Sequence, residues 1–119
     1  MSLNPSQYSA FASQLGQMLD LLQHQQSNNQ LDVADIDRSL ASLQNFFQTN
    51  IIPLCELDHD TDGREQMYRT EMSKQMRLLE IDVTFLRNAR HSQTQQTRLK
   101  AINTRLTTLV SYCQAASSL

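Results

Sequence analysis

The chain has 119 residues, a formal net charge of −2, and only two glycines and two prolines. This length predicts one domain spanning residues 1–119, and the scarcity of turn-forming residues favours a few long elements. No apolar run approaches the roughly 18 residues of a membrane span, and we expect no secretory signal at the start of the chain. The two cysteines, Cys55 and Cys113, lie in no metal-binding or redox motif, so we expect reduced thiols in a cytoplasmic protein.

Charge is distributed unevenly between the two halves of the chain. Residues 1–63 contain eight acidic residues and one basic residue, Arg38, whereas residues 64–119 contain nine basic and four acidic residues. Two interpretations follow. Either the halves attract each other within one fold, or the protein presents a dipolar surface that steers a charged partner.

Two amphipathic helices are predicted in the first half. The first helix is predicted over 5–26, with Asn4 as its cap and Pro5 at its first position. Gly16 lies beside the apolar stripe of this helix and would permit a close contact with another helix. The apolar stripe of this helix repeats every three or four residues: Tyr8, Phe11, Leu15, Met18 and Leu22. A second helix begins after Asp32, and Pro53 should end or kink it. Its stripe is Val33, Ile36, Leu40, Leu43, Phe47, Ile51 and Leu54.

Two longer helices are predicted in the second half. Helix three, over 63–90, has one apolar row formed by Tyr68, Met72, Met76, Leu79, Val83 and Leu86, and a second row formed by Leu78, Phe85 and Ala89. Two rows indicate that this helix touches two others. Helix four, over 94–116, has the stripe Leu99, Ile102, Leu106, Leu109, Cys113 and Ala116. The expected fold is therefore all-α, an antiparallel up-down four-helix bundle with a long third helix.

Neither a metal site nor a catalytic site is predicted. Asp58, Asp60, Asp62 and Gly63 match the first half of a calcium-binding loop, but Arg69 stands where that loop needs a bidentate glutamate. The three histidines lie in or next to predicted loops without a Cys or Ser partner at a known spacing, and no phosphate-binding loop is present. We therefore expect a non-enzymatic protein without a cofactor.

Helix three carries a mixed strip that is typical of a protein interface. Ile81 points away from the main stripe and lies near Arg77, between Lys74 and Asn88. A homodimer through Ile81 and Phe46 is an open alternative.

Basic residues cluster near the predicted turn between helices three and four: Arg87, Arg90, His91, Arg98, Lys100 and Arg105. They leave a nucleic-acid-binding regulator as a second alternative. The net acidic charge, and the lack of aromatic residues among these bases, favour solvated helix faces, so no nucleic-acid partner is expected.

Asp82 interrupts an apolar part of helix three, between Leu78 and Leu79 on one side and Phe85 and Leu86 on the other. Burial of a carboxylate requires a partner. We therefore predict a buried polar pin in which Asp82 pairs with Arg38, or with the hydroxyl of Tyr8 or Tyr112. The alternative is an exposed anchor for a binding partner.

Three segments carry a family resemblance: LQNFFQTNIIPL (43–54), EMSKQMRLLEIDVTFLRNAR (71–90) and RLKAINTRLTTLVSYCQA (98–115). They resemble the PatD family of small cyanobacterial proteins that control heterocyst frequency. The resemblance implies an all-helical cytoplasmic protein that restrains heterocyst differentiation and binds the tubulin-like cell-division protein FtsZ, modulating its assembly. It supplies no contact residues. The basic half of the chain suggests a partner-binding set of Lys74, Arg77, Ile81, Arg87 and Arg90.

Overall fold

A computed structural model describes residues 5–57 and 63–119. Across these two ranges the chain is helical and contains no strand, with four α-helices: α1 (Pro5–Ser27), α2 (Val33–Phe46), α3 (Arg64–Asn88) and α4 (Ser92–Ser117). The predicted all-α class and the four packed helices are confirmed. The predicted cap Asn4 and the acidic loop Asp58–Asp62 lie outside the described residues.

The start of α2 is fixed by side-chain hydrogen bonds on both sides of the connection from α1. The Asp32 carboxylate accepts a hydrogen bond from the Asp35 backbone N–H (3.3 Å), which is the predicted N-cap. The buried Gln25 of α1 accepts from the Asp32 backbone N–H (3.0 Å) and donates to the Asp32 carbonyl (3.3 Å). Gln25 thereby holds the end of α1 against the start of α2.

Pro53 lies where the helix changes type, and the helix does not end abruptly before it. The α-helical part of α2 ends at Phe46 and continues as a π-helical turn (Phe47–Ile51) and a 3-10 helix (Ile52–Leu57). The Ile52 backbone N–H donates to the Phe47 carbonyl, five residues earlier. Proline has no N–H and its ring crowds the carbonyl four residues before it, so the helix widens ahead of Pro53. Phe47, Ile51 and Leu54 remain buried.

The predicted main stripes of α1 and α4 are buried along their whole length and belong to one apolar cluster. The most extensive contacts join α3 to α4 and α1 to α4, and smaller ones join α1 to α2 and α2 to α3. Phe11 of α1 packs against Phe46 (5.8 Å between ring centroids) and Phe47 (5.5 Å). Phe46 is therefore partly buried against α1, and its role as a dimer contact stays a prediction.

Only one of the two apolar rows predicted on α3 is a buried face. The main row is buried from Met72 to Leu86, with Tyr68 only partly buried. The second row is not a buried face, because Leu78 is partly exposed and the Phe85 side chain is 50% exposed. On that side α3 meets α4 through charged side chains. No helix in the described ranges has the length and apolar character needed to cross a membrane.

Candidate interaction surface

Asp82 is buried at the junction of α3 and α4, with 4% of its surface exposed. Its Oδ1 accepts a hydrogen bond from Arg98 Nη1 (3.3 Å), and its Oδ2 accepts one from Arg105 Nε (3.1 Å). Arg98 and Arg105 are seven residues apart, about two turns of α4, so they approach the carboxylate from either end. The site is a buried carboxylate shared by two arginines whose side chains are 34% and 31% exposed.

The predicted partners of Asp82 are wrong. Arg38 lies on the surface of α2, where its side chain is 70% exposed and is bonded to Asp35 one turn earlier. Each predicted tyrosine has another contact: the Tyr8 hydroxyl accepts from Arg69, and the Tyr112 ring packs against Tyr68. The sequence did contain a signal for the true partners, because Arg98 and Arg105 flank the buried stripe of α4 on one edge.

Apolar side chains are exposed beside this ion pair. The Arg98 guanidinium lies over the Phe85 ring, 4.2 Å from its centroid, in a cation–π contact. Ile81, one turn before Phe85, is 43% exposed. These two residues line a shallow depression together with Arg77, Glu80 and Thr84. We call the set Arg77, Ile81, Phe85, Arg98 and Arg105 the α3–α4 patch.

The structure places only part of the predicted partner-binding set in this patch, namely Arg77 and Ile81. Lys74 is exposed and pairs with Glu71 (3.4 Å). Arg87 forms two hydrogen bonds to Asp37 of α2 (2.7 and 3.2 Å), which raise the pKa of its guanidinium above the ordinary value. Arg90 lies exposed just beyond the end of α3. Their role in binding a partner stays a prediction.

A second buried polar cluster connects α1 to the start of α3. Arg69 Nη1 donates to the Tyr8 hydroxyl (3.1 Å) and lies 3.7 Å from Glu65 Oε1. All three side chains are almost fully buried, and burial is the main cause of a Tyr8 pKa raised well above its ordinary value. The sequence analysis used Arg69 only as evidence against a calcium-binding loop. It is a buried cation joining two helices.

Two features of the described residues concern metal and thiol chemistry. Within residues 5–57 and 63–119, no three His, Cys, Asp or Glu side chains are grouped so that they could hold a metal ion. Cys113 is a free, fully buried cysteine, and burial raises the pKa of its thiol to about 12. Such a thiol stays protonated at neutral pH and is a poor nucleophile.

Comparison of the chain with protein-family models, curated proteins and solved structures gave no match. The resemblance to the PatD family therefore rests on the three sequence segments quoted above. The geometry of the α3–α4 patch is the structural basis for proposing a function.

Proposed function

We propose that the chain is a non-enzymatic cytoplasmic regulatory module that binds another protein through the α3–α4 patch. The observation that carries this proposal is the pair of exposed apolar side chains, Ile81 and Phe85, beside arginines on two packed helices. Aromatic and arginine side chains are enriched where protein interfaces gain most of their binding energy. A rigid helix pair also presents them at low entropic cost.

The family resemblance gives this module its candidate partner. We propose FtsZ, with modulation of its assembly as the mechanism by which the protein influences heterocyst frequency in cyanobacteria. Arg77 and Ile81 belong to both the predicted set and the α3–α4 patch. Lys74, Arg87 and Arg90 extend the basic surface along and beyond α3 and remain candidate contacts.

A nucleic-acid partner is less well supported than a protein partner. Three arginines of the basic cluster already have carboxylate partners: Arg87 pairs with Asp37, and Arg98 and Arg105 share Asp82. Affinity for nucleic acid grows with the number of phosphates that free cations neutralise. The two carboxylates offset two of these three positive charges, so the cluster can neutralise fewer phosphates than its number of arginines suggests.

We also propose that the four helices form one domain in antiparallel up-down order. The longer helices have 23, 25 and 26 residues, which gives lengths of about 35–39 Å. The molecule measures 48 × 21 × 20 Å, so helices of this length fit only along its long axis. The short connections at 28–32 and 89–91 support a reversal of direction between neighbouring helices.

Co-sedimentation with polymerising FtsZ tests the partner and its effect on assembly together. We expect the protein to pellet with FtsZ polymers and to change the pelleted fraction of FtsZ. Substituting Arg77, Arg87 and Arg90 with Glu should weaken binding and reduce its dependence on salt. The double variant Arg77→Glu/Arg90→Glu leaves the Arg87–Asp37 pair intact and should also weaken binding, which would show that the loss does not come from breaking that pair.

Two results would count against the proposal. Absence of co-sedimentation at physiological salt would remove FtsZ as the partner. Tight binding of duplex DNA in a gel shift at the same salt concentration would favour the nucleic-acid alternative.

A further inference from the structure

We propose that the α3–α4 patch recognises an acidic, amphipathic segment of its partner by two-point contact. An apolar side chain of the partner occupies the depression between Ile81 and Phe85. A neighbouring carboxylate binds the outward edges of Arg98 and Arg105, which Asp82 holds in place. This inference rests on the proposed function only in taking the partner to be a protein.

The polar half of the site has an excess of positive charge that its own residues do not neutralise. One buried carboxylate, Asp82, is shared by two guanidinium groups, and the structure gives each group one hydrogen bond to it. A guanidinium carries five N–H donors in a rigid plane. Each group therefore has N–H donors that Asp82 does not use, and about a third of each arginine side chain is exposed, which suits an incoming carboxylate.

The orientation of these donors is fixed before any partner arrives. One guanidinium nitrogen of each arginine is bound by Asp82, and the Arg98 guanidinium also lies on the Phe85 ring. Side chains held in this way lose less conformational freedom on binding than free surface arginines do. Asp82 is therefore a positioning residue that acts on the ligand through Arg98 and Arg105.

The apolar half of the site lies on the same helix face. Ile81 and Phe85 are four residues apart, so their side chains are neighbours along α3. Arg98 covers part of the Phe85 ring, yet half of the side chain stays exposed. Arg77, Glu80 and Thr84 complete the rim of the depression. An apolar residue between two polar rims is the usual arrangement of an interface anchor.

Charge decides between the possible occupants of this surface. A two-fold dimer formed through the patch would bring together two surfaces that each have a net positive charge, even with Glu80 on the rim, and this would oppose association. A nucleic acid would neutralise the charge but offers no aliphatic side chain for the depression. A protein segment with both a carboxylate and an apolar residue satisfies the two halves together.

A peptide titration tests the inference without FtsZ. The probes are a helical amphipathic peptide with leucines along one face and glutamates beside them, and the same peptide with every Glu replaced by Gln. NMR signals of Ile81, Phe85, Arg98 and Arg105 should shift with the acidic peptide, and the Gln peptide should bind at least about tenfold more weakly. Equal binding of both peptides, or shifts confined to other helices, would overturn the inference.

Matched variants then locate the two contacts. Arg105→Gln removes the excess charge but leaves Asp82 its Arg98 partner, and Phe85→Ala removes the apolar contact. Each substitution should weaken binding of the acidic peptide about tenfold. The controls are Lys100→Gln, an exposed cation of α4 outside the patch, and Met67→Ala, which removes an equally exposed apolar side chain about 27 Å away on α3. A loss as large in the controls would contradict two-point recognition.

The same variants measured against FtsZ separate this inference from the proposed function. FtsZ binding that survives both Arg105→Gln and Phe85→Ala would refute the inference and leave the function standing. Acidic-peptide binding at the patch without FtsZ binding would remove FtsZ and support the recognition mode. Concentration-dependent dimerisation of the wild-type chain that Phe85→Ala abolishes would assign the patch to a second copy instead.

Discussion

Replacing Asp82 with Asn should destabilise the fold measurably while keeping the volume of the side chain. Asn has no charge and one carbonyl acceptor, so at least one of the two arginine hydrogen bonds is lost. Removing one partner of a fully buried ion pair costs about 3–5 kcal/mol. Arg98 and Arg105 are about one-third exposed and can turn partly to water, which lowers the expected cost to about 2 kcal/mol.

Urea unfolding followed by far-UV circular dichroism measures this difference directly. For a chain of this size a loss of about 2 kcal/mol corresponds to a melting temperature lower by about 8 °C. Asp37→Asn is the matched control, because it removes a carboxylate from the exposed pair with Arg87 and should lower the urea midpoint much less than Asp82→Asn does. In a double-mutant cycle, Asp82→Asn and Arg105→Gln together should cost less stability than the sum of their separate costs, because both remove the same interaction.

Two outcomes would refute the structural role of Asp82. One is an Asp82→Asn protein with the stability of the wild type. The other is a cost no larger than that of Asp37→Asn. Either would mean that the two arginines stabilise the junction of α3 and α4 without the charge of Asp82.

Three further predictions concern the core and the helices. Gly16→Ala should raise the free energy of unfolding by about 0.8–1 kcal/mol, because an added Cβ meets nothing within 4 Å; a lower urea midpoint would contradict this. Phe11→Ala should cost about 3–5 kcal/mol in urea unfolding, whereas Phe85→Ala, half exposed, should cost less than about 1 kcal/mol. In a Cys55→Ser background, Cys113 should resist iodoacetamide at pH 8 until urea unfolds the chain. Its folded pKa of about 12 exceeds the ordinary 9.0, so its contribution to stability is complete below pH 9 and is lost as the pH rises towards 12. Urea midpoints should therefore fall over that range, and less steeply in Cys113→Ala.

The helices and most of the core could be predicted from the sequence because their signals are local. Apolar residues repeating every three or four positions placed the stripes of α1 and α4, and Asp32 marked the start of α2. The exposure of Ile81 also followed from its position off the main row of α3. Pro53 indicated a disturbance, although the proline alone does not specify a π-helical turn ahead of it.

The partners of the polar side chains depend instead on which helix faces which. Periodicity made Asp82 a candidate for burial, but Arg38, Tyr8, Arg98 and Arg105 are all compatible with it until the packing of α3 against α4 is known. The same packing leaves Phe85 half exposed.

By itself the sequence determined the helices, their apolar faces and the uneven charge, because these depend on residues a few positions apart. Only the tertiary structure decided that Asp82 joins two arginines of α4 and that Arg69 is buried against Tyr8. Helix periodicity indicates which side chains face the core. A buried charge is stabilised by residues distant in sequence, and the packing of the helices selects them.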